Sequence, residues 1–551
     1  MTFLRTLAIT CVFMLLIVVP MWADDGWMPI GDGLITYPDG TDPDVSLRDE
    51  IPIIAIAPDG TLYATWEHRT GWLDENNVAH TTSVIYIKRY NGTGWEEVGA
   101  GSASGDGLFM NDNPPIVIPN LEWILLSPAI AVGPDNIPYL AWVGGYNGTN
   151  TWYIYIQRFN GSTWENVGVG SGDSDGIIEK YSDKLSLVVR ANDDIYLAWI
   201  GVEVWHFDGT EWESTEFIDP QDFSPTSGEG RDASLALDPD GQVYAAWGND
   251  TGISVRRYSG GDWVDVGSYP GGYNEITHEE NFATAPRYPA LAINSAGTPY
   301  LTWQAGTNNR GERIYVKRFV DSAWEEVGDY SASQWRGING FFDPLCPDCN
   351  DGSSGWRPQI GFGFPDVPYI AWIERGQLNP NGAVFVKRFN GEYWEETNLG
   401  SASQDGVSTG SGEIYAFSIA TFGQFDSPVY MVWSSAVGQV ASLHAPTGVV
   451  ERSLFTRGFN PQTRAQPINR NYYTTTSPTL TWNPVVGAVG YKLQVAQNRS
   501  FTTIADVYET TDLSQTLMPL PDGIYYWRIR VKIDATRWGS WGRIDSFVID
   551  G

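Results

Sequence analysis

IPIIAIAPDGTLYATW (residues 51–66), SPAIAVGPDNIPYLAW (127–142), YPALAINSAGTPYLTW (288–303) and RPQIGFGFPDVPYIAW (357–372) are versions of one segment. Each runs on to a second segment such as IYIKRYNGTGWEEVG (85–99) or IYVKRFVDSAWEEVG (314–328). Together they read as four short strands: an apolar inner strand a, strand b ending in Trp, strand c ending in a basic pair, and strand d opening on Trp. The unit recurs seven times between residues 51 and 457. A four-stranded unit at this period predicts an all-β chain built as a seven-bladed β-propeller, residues 24–457.

Strand a should lie nearest the axis, because its small and branched apolar run suits a strand covered on both faces. The strand b tryptophans are Trp66, Trp142, Trp199, Trp247, Trp303, Trp372 and Trp433, and those opening strand d are Trp95, Trp164, Trp212, Trp263, Trp324 and Trp394. Residues recurring at one register in every repeat read as core rather than as a sugar-stacking row. The seventh repeat lacks a strand d Trp and has Val449 and Val450 instead. The missing pattern stands at the other end of the chain, as WMPIGDGL (27–34), so Trp27–Gly31 is expected to complete the last blade.

Composition narrows the rest. The 551 residues carry 33 basic and 66 acidic side chains, a net charge of −33. Such a surface repels nucleic acid and anionic lipid, so neither is an expected partner. The opening MTFLRTLAITCVFMLLIVVPMWADD reads as a secretory signal peptide (1–23) cleaved after Ala23, without membrane insertion afterwards. Export suits a local disulfide between Cys346 and Cys349 in a long loop; a redox CxxC would want a following helix, and zinc a second ligand pair. No metal site is expected, although the acidic loops 38–44 and 172–176 leave a surface calcium ion open. His68 and His80 share a segment but supply too few ligands. A monomer is expected.

After a linker (458–476), residues 477–551 alternate apolar and polar in SPTLTW, GYKLQVAQ, YYWRIRVKI and RIDSFVID, which predicts a small antiparallel β-sandwich. Its Trp482, Tyr491, Tyr526 and Trp527 resemble a fibronectin type III-like module, which implies a spacer or adhesive role. The repeats themselves resemble those of secreted bacterial β-propeller proteins grouped with sialidase-like or kelch-like propellers. That likeness speaks for fold and little for activity, since propellers host many functions. PDGQVYAAW (239–247) also departs from the sialidase Asp-box: Gly241 and Trp247 lie six apart, and the leading Ser is missing.

Strand direction gathers the b–c and d–a connections, including every long insertion, on one face. Binding residues concentrate on such faces. There the sequence places Arg48, Lys184, Arg231, Arg287 and Arg357 just before strand a, a candidate cationic rim for ligand carboxylates. Pairing with Asp49, Glu50, Asp183, Glu229 and Asp232 is the competing reading. No nucleophile elbow, HExxH or phosphate loop occurs. The expected function is therefore non-catalytic recognition of carbohydrate or protein by a secreted or cell-surface protein. The alternative is a glycoside hydrolase or lyase acting on an acidic sugar, with Glu229, Glu279 and Glu280 as nearby acids.

Overall fold

The chain, seen in a computed structural model, is described at residues 27–30, 48–73, 79–104, 107–108, 123–146, 151–169, 176–191, 193–199, 203–215, 232–248, 252–267, 276, 286–307, 311–328, 331–332, 337–339, 354–363, 366–376, 379–397, 401–402, 406–408, 414–421, 429–439, 450–459, 472–473, 476–482, 489–497, 501, 503–521, 523–532, 538 and 545–549. These are nearly all strand, with one 3-10 turn at Gly406–Ser408. Among them no helix is long and apolar enough to cross a membrane. The expected signal peptide, Arg231, Glu229, Glu279, Glu280, Cys346, Cys349 and acidic loop 38–44, with nearly all of 172–176, lie outside the described residues.

Among the described residues seven small sheets repeat one plan, four antiparallel strands a to d. The first sheet holds Arg48–Ile56, Leu62–Leu73, Ala79–Tyr90 and Trp95–Glu97. The second holds Trp123–Val132, Pro138–Tyr146, Trp152–Phe159 and Trp164–Asn166. The third holds Leu185–Val189, Asp194–Trp199, Val204–Asp208 and Trp212–Ser214. The fourth holds Ala233–Leu237, Val243–Gly248, Ile253–Ser259 and Asp262–Asp265. The fifth holds Arg287–Ile293, Pro299–Thr307, Gly311–Val320 and Ala323–Glu326. The sixth holds Ser354–Gly363, Val367–Arg375, Ala383–Phe389 and Trp394–Glu396.

The seventh sheet is assembled from both ends of the array. Ile414–Thr421, Val429–Gln439 and Val450–Phe459 supply strands a to c, and Trp27–Pro29 pairs along the last of these with Trp27 opposite Phe459. Val450 therefore opens strand c, and the fourth strand comes from the N-terminal segment. Single parallel pairs, Arg48 with Arg452 and Ser83 with Ile124, merge the seventh, first and second sheets, with the short strand Ile178–Glu179 paired to Trp152–Phe159, into one 13-stranded ladder.

Tryptophan links the sheets. The strand b tryptophans are all buried, Trp142 completely. Four of strand d donate their indole N–H to a carbonyl on the preceding sheet, Trp164 to Val98 at 2.7 Å, Trp212 to Val167 at 2.9 Å, Trp324 to Val266 at 2.7 Å and Trp394 to Val327 at 2.7 Å, while Trp263 donates to the Thr215 hydroxyl at 3.0 Å. Trp95 donates to the carbonyl of Ile30, beside the N-terminal strand, at 3.1 Å. Both aromatic series are structural, as the repeated register implied.

The inner strands carry a second repeated tie. Leu235 N–H donates to Ser186 Oγ at 2.9 Å, Leu291 N–H to Ser234 Oγ at 3.0 Å, and Ile54 N–H to Ser418 Oγ at 3.2 Å. The bond that joins the third sheet to the fourth thus also joins the seventh to the first. Apolar packing follows the same circuit: one core cluster combines Trp142 and Tyr155 with Tyr63 and Ile85, and another combines Trp66 and Leu62 with Val432 and Ala420.

One of the long b–c connections is not a loop: strands b and c of the first sheet continue as a paired arm until Leu73 faces Ala79. Thr70, Thr81, Thr82 and Val84 are β-branched and suit an extended pair.

At the C-terminus, Tyr472–Tyr473, Asp545–Ile549, Gly523–Lys532, Gly490–Ala496 and Ile504–Thr510 form a five-stranded sheet, and Thr479–Thr481 pairs with Ser514–Thr516. The two share a core that includes Leu480, Trp482, Tyr491, Trp527 and Phe547. Of the paired tyrosines it is Tyr525 that turns inward, its hydroxyl donating back to Pro521 O at 2.9 Å.

Candidate functional site at the strand a entrance

Four strand a segments begin with an X–Pro step, and the structure shows its consequence. Proline brings no N–H to the ladder, so pairing breaks there. The register shifts between Glu50 and Ile53, Leu126 and Ala129, Arg287 and Ala290, and Trp356 and Gln359. The residue before each proline has a positive φ: Ile51 at 49°, Ser127 at 55°, Tyr288 at 54° and Arg357 at 52°. Holding a non-glycine residue in the left-handed region costs on the order of 1–2 kcal/mol. Bulges of this kind re-aim side chains, and such strain clusters at binding sites. Counting back from the strand b Trp, Lys184 and Asp232 fill the same position in the third and fourth sheets.

These side chains form a mixed-charge cluster. Lys184 Nζ lies 3.0 Å from Asp232 Oδ2 on the next sheet, with the Asp232 side chain 7% exposed and that of Lys184 45% exposed. Arg287 Nη2 lies 2.8 Å from Glu312 Oε1 of its own sheet. Arg357, exposed, sets its guanidinium 5.4 Å from the centre of the Tyr288 ring, and its backbone N–H donates to the fully buried Gln304 at 2.9 Å. Arg48 enters the first sheet opposite Arg69, and its side chain is not described.

Asp183 ties the cluster together. Its surface is open to solvent, yet surrounding protein desolvates it and, with the nearby Asp232 carboxylate, raises its pKa above the ordinary range. Arg357 and Lys184 pull the other way. Arg357 belongs to the sixth sheet and Asp183 precedes the third, so the Arg357 charge is felt between sheets rather than along one. Of the sequence candidates, Lys184 and Arg357 are brought together here, whereas Arg287 turns to Glu312. Sequence reasoning placed Asp183 and Asp232 among the neutralising partners and missed Tyr288, whose place before Pro289 was the available signal.

Among the described residues no group of three or more His, Cys, Asp or Glu side chains is arranged to hold a metal ion. No family model matches the chain, and no curated protein matches it. Solved structures with likeness include a protein of unknown function from Dyadobacter fermentans, 11% identical with a TM-score of 0.41 over 79% of this chain and 99% of that one. An ulvan lyase bound to a GlcA-containing saccharide is 11% identical with a TM-score of 0.40, over 75% and 94% of the two chains. An endo-arabinase from Bacteroides thetaiotaomicron is 13% identical with a TM-score of 0.27, over 49% and 92%. Likenesses at these values assign the chain to no family and no activity.

Proposed function

We propose that the seven sheets are blades of one closed seven-bladed β-propeller followed by a fibronectin type III-like module. On this reading the chain is exported after loss of residues 1–23 and acts as a secreted or cell-surface, non-catalytic binding protein for carbohydrate. The serine ties, the indole bonds and the split seventh sheet support closure. The Tyr525 hydroxyl bonded back to Pro521 O is the corner bond expected of such a sandwich. The observation that carries function is the convergence of Asp183, Lys184, Asp232, Tyr288 and Arg357 at the entrance of the inner strands. An aromatic ring and a guanidinium at strand bulges, with a carboxylate beside them, suit the apolar face, the anionic group and the hydroxyls of a sugar.

A glycan array probed with the full chain tests this. Binding of carboxylated glycans, lost in Arg357→Ala and weakened in Tyr288→Ala, is expected. A protein ligand captured with no glycan bound, or glycan binding indifferent to both changes, would overturn the carbohydrate reading.

The Asp183 and Asp232 pair favours one second reading, a hydrolase or lyase acting on an acidic sugar. A carboxyl whose pKa is raised by burial and by a second carboxyl close by, itself 3.0 Å from Lys184 Nζ, is an arrangement that acid–base chemistry can use. Turnover of a uronate polysaccharide, abolished in Asp183→Asn, would establish it over simple binding.

A further inference from the structure

A recess of about 570 Å³ lies on the opposite rim, between the a–b and c–d turns of the first and second sheets. That volume is within the ~300–1,000 Å³ of small-molecule sites. We propose that this recess binds the carboxylate of an acidic saccharide, a hexuronate, through Tyr63 and Arg89.

The next interface in the same molecule supplies the precedent. Counted from the strand b Trp and the strand d Trp, Tyr63, Asp59, Arg89 and Glu96 of the first sheet correspond to Tyr139, Asp135, Arg158 and Glu165 of the second. The arginine–glutamate lock is the same in both: Arg89 Nε donates to Glu96 Oε1 at 2.8 Å, and Arg158 Nε to Glu165 Oε1 at 2.7 Å. In the second sheet the tyrosine hydroxyl and arginine Nη1 both donate to one carboxylate, that of Asp193, which reaches back from the a–b turn of the third sheet. The residue at that turn position in the second sheet is Asn136. It holds the same left-handed conformation, φ 66° against 57° for Asp193. Its Oδ1, however, accepts from the backbone N–H of Asp59 at 2.9 Å.

The first interface therefore keeps the receptor and lacks the carboxylate. Arg89 is correspondingly more open, its side chain 42% exposed against 32% for Arg158. The flanking charges match as well: an arginine with Asp59 and Glu96 here, an arginine with Asp135 and Glu165 there. A ligand anion would thus complete a charge set that this fold already holds one interface away. Around the slot the half-buried rings of Tyr90 and Phe159 offer apolar surface for the C–H face of a saccharide, while the amides of Asn91 and Asn160 are taken up in their own turns, Nδ2 donating to Glu96 and to Glu165.

The test is titration of the full chain with glucuronate, its methyl ester, glucose and acetate, followed by saturation-transfer NMR. Glucuronate is expected to bind about tenfold or more tighter than the ester or glucose, as loss of a charge-assisted bond implies. Acetate should bind more weakly than glucuronate. Asn136→Asp should abolish binding by supplying the carboxylate internally, as Asp193 does, while raising the urea midpoint, so lost binding there cannot be unfolding. Arg89→Gln, with an unchanged far-ultraviolet spectrum, should lose binding about tenfold or more. Each titration is made in the Arg357→Ala background, so binding at the strand a entrance does not enter the readout. Equal affinity for glucuronate and glucose, or binding that survives Asn136→Asp, would overturn the proposal. Acetate or an aspartyl peptide binding as tightly as glucuronate would overturn its saccharide part.

Discussion

Replacing Trp95 and Trp164 separately by Phe asks whether the N-terminal strand closes the array. Trp164 donates its indole N–H to Val98 O at 2.7 Å, and Trp95 donates to Ile30 O at 3.1 Å. Val98 is fully buried and Ile30 is 8% exposed, so in either variant a carbonyl loses its partner with little water to replace it. That loss costs about 1–2 kcal/mol. The smaller ring adds a cavity term, a fraction of the ~3–5 kcal/mol for full truncation. About 2 kcal/mol is expected for Trp164→Phe. The longer Trp95 bond puts Trp95→Phe somewhat lower, at about 1.5 kcal/mol. With an m-value of roughly 3–4 kcal/mol/M, the urea midpoint falls by about half a molar in each case. Equilibrium unfolding followed by Trp fluorescence and by circular dichroism reads both variants. If Trp164→Phe shows this cost and Trp95→Phe less than about 0.5 kcal/mol, the bond to Ile30 contributes nothing and closure by the N-terminal segment is wrong.

Asp193→Asn should destabilise by about 1–3 kcal/mol at pH 7, since Arg158 and the buried Tyr139 lose their shared acceptor charge, while the partial exposure of Arg158 and Asp193 lets water soften the loss. Burial pushes the Asp193 carboxyl up, but the bonds from Arg158 and Tyr139 outweigh it and hold its pKa below the ordinary value. Its contribution is thus complete above the unfolded pKa and fades as pH falls through the folded one, so wild type and variant should converge in acid unfolding once the pH lies below the folded pKa. In the c–d turn of the fifth sheet Asp321 and Ser322 sit at φ 51° and 66° where the fourth sheet uses Gly260 and Gly261. Changing them together to Asn–Gly should raise stability by about 1 kcal/mol, read as a higher urea midpoint; a lower midpoint would mean these side chains make a contact worth more than the strain.

The sheets were legible because the repeat writes its own alignment. Trp66, Trp142 and Trp303 recur at one register, and WMPIGDGL at the N-terminus fills the gap left after Trp433. The arm formed by residues 67–73 and 79–83 escaped because its Thr- and His-rich alternation looks like loop composition until a partner strand is present. Tyr526 was read ahead of Tyr525 in the C-terminal module because neighbours on a strand point to opposite faces, and composition does not say which face is the core. The entrance cluster was half visible. Basic residues could be counted beside strand a, but whether Lys184 meets Asp232, Arg287 meets Glu312, or Arg357 comes near Asp183 depends on which sheets are neighbours in space. The recess beside Arg89 shows the limit most sharply. Asn136 and Asp193 differ by one functional group at the same turn position, and in sequence both read as ordinary turn residues. Only the packing of one sheet on the next turns that difference into a filled slot at one interface and an open one at the other. In a repeat protein, the departures from the repeat at inter-sheet turns are thus where binding capacity can arise without disturbing the strands that hold the array together.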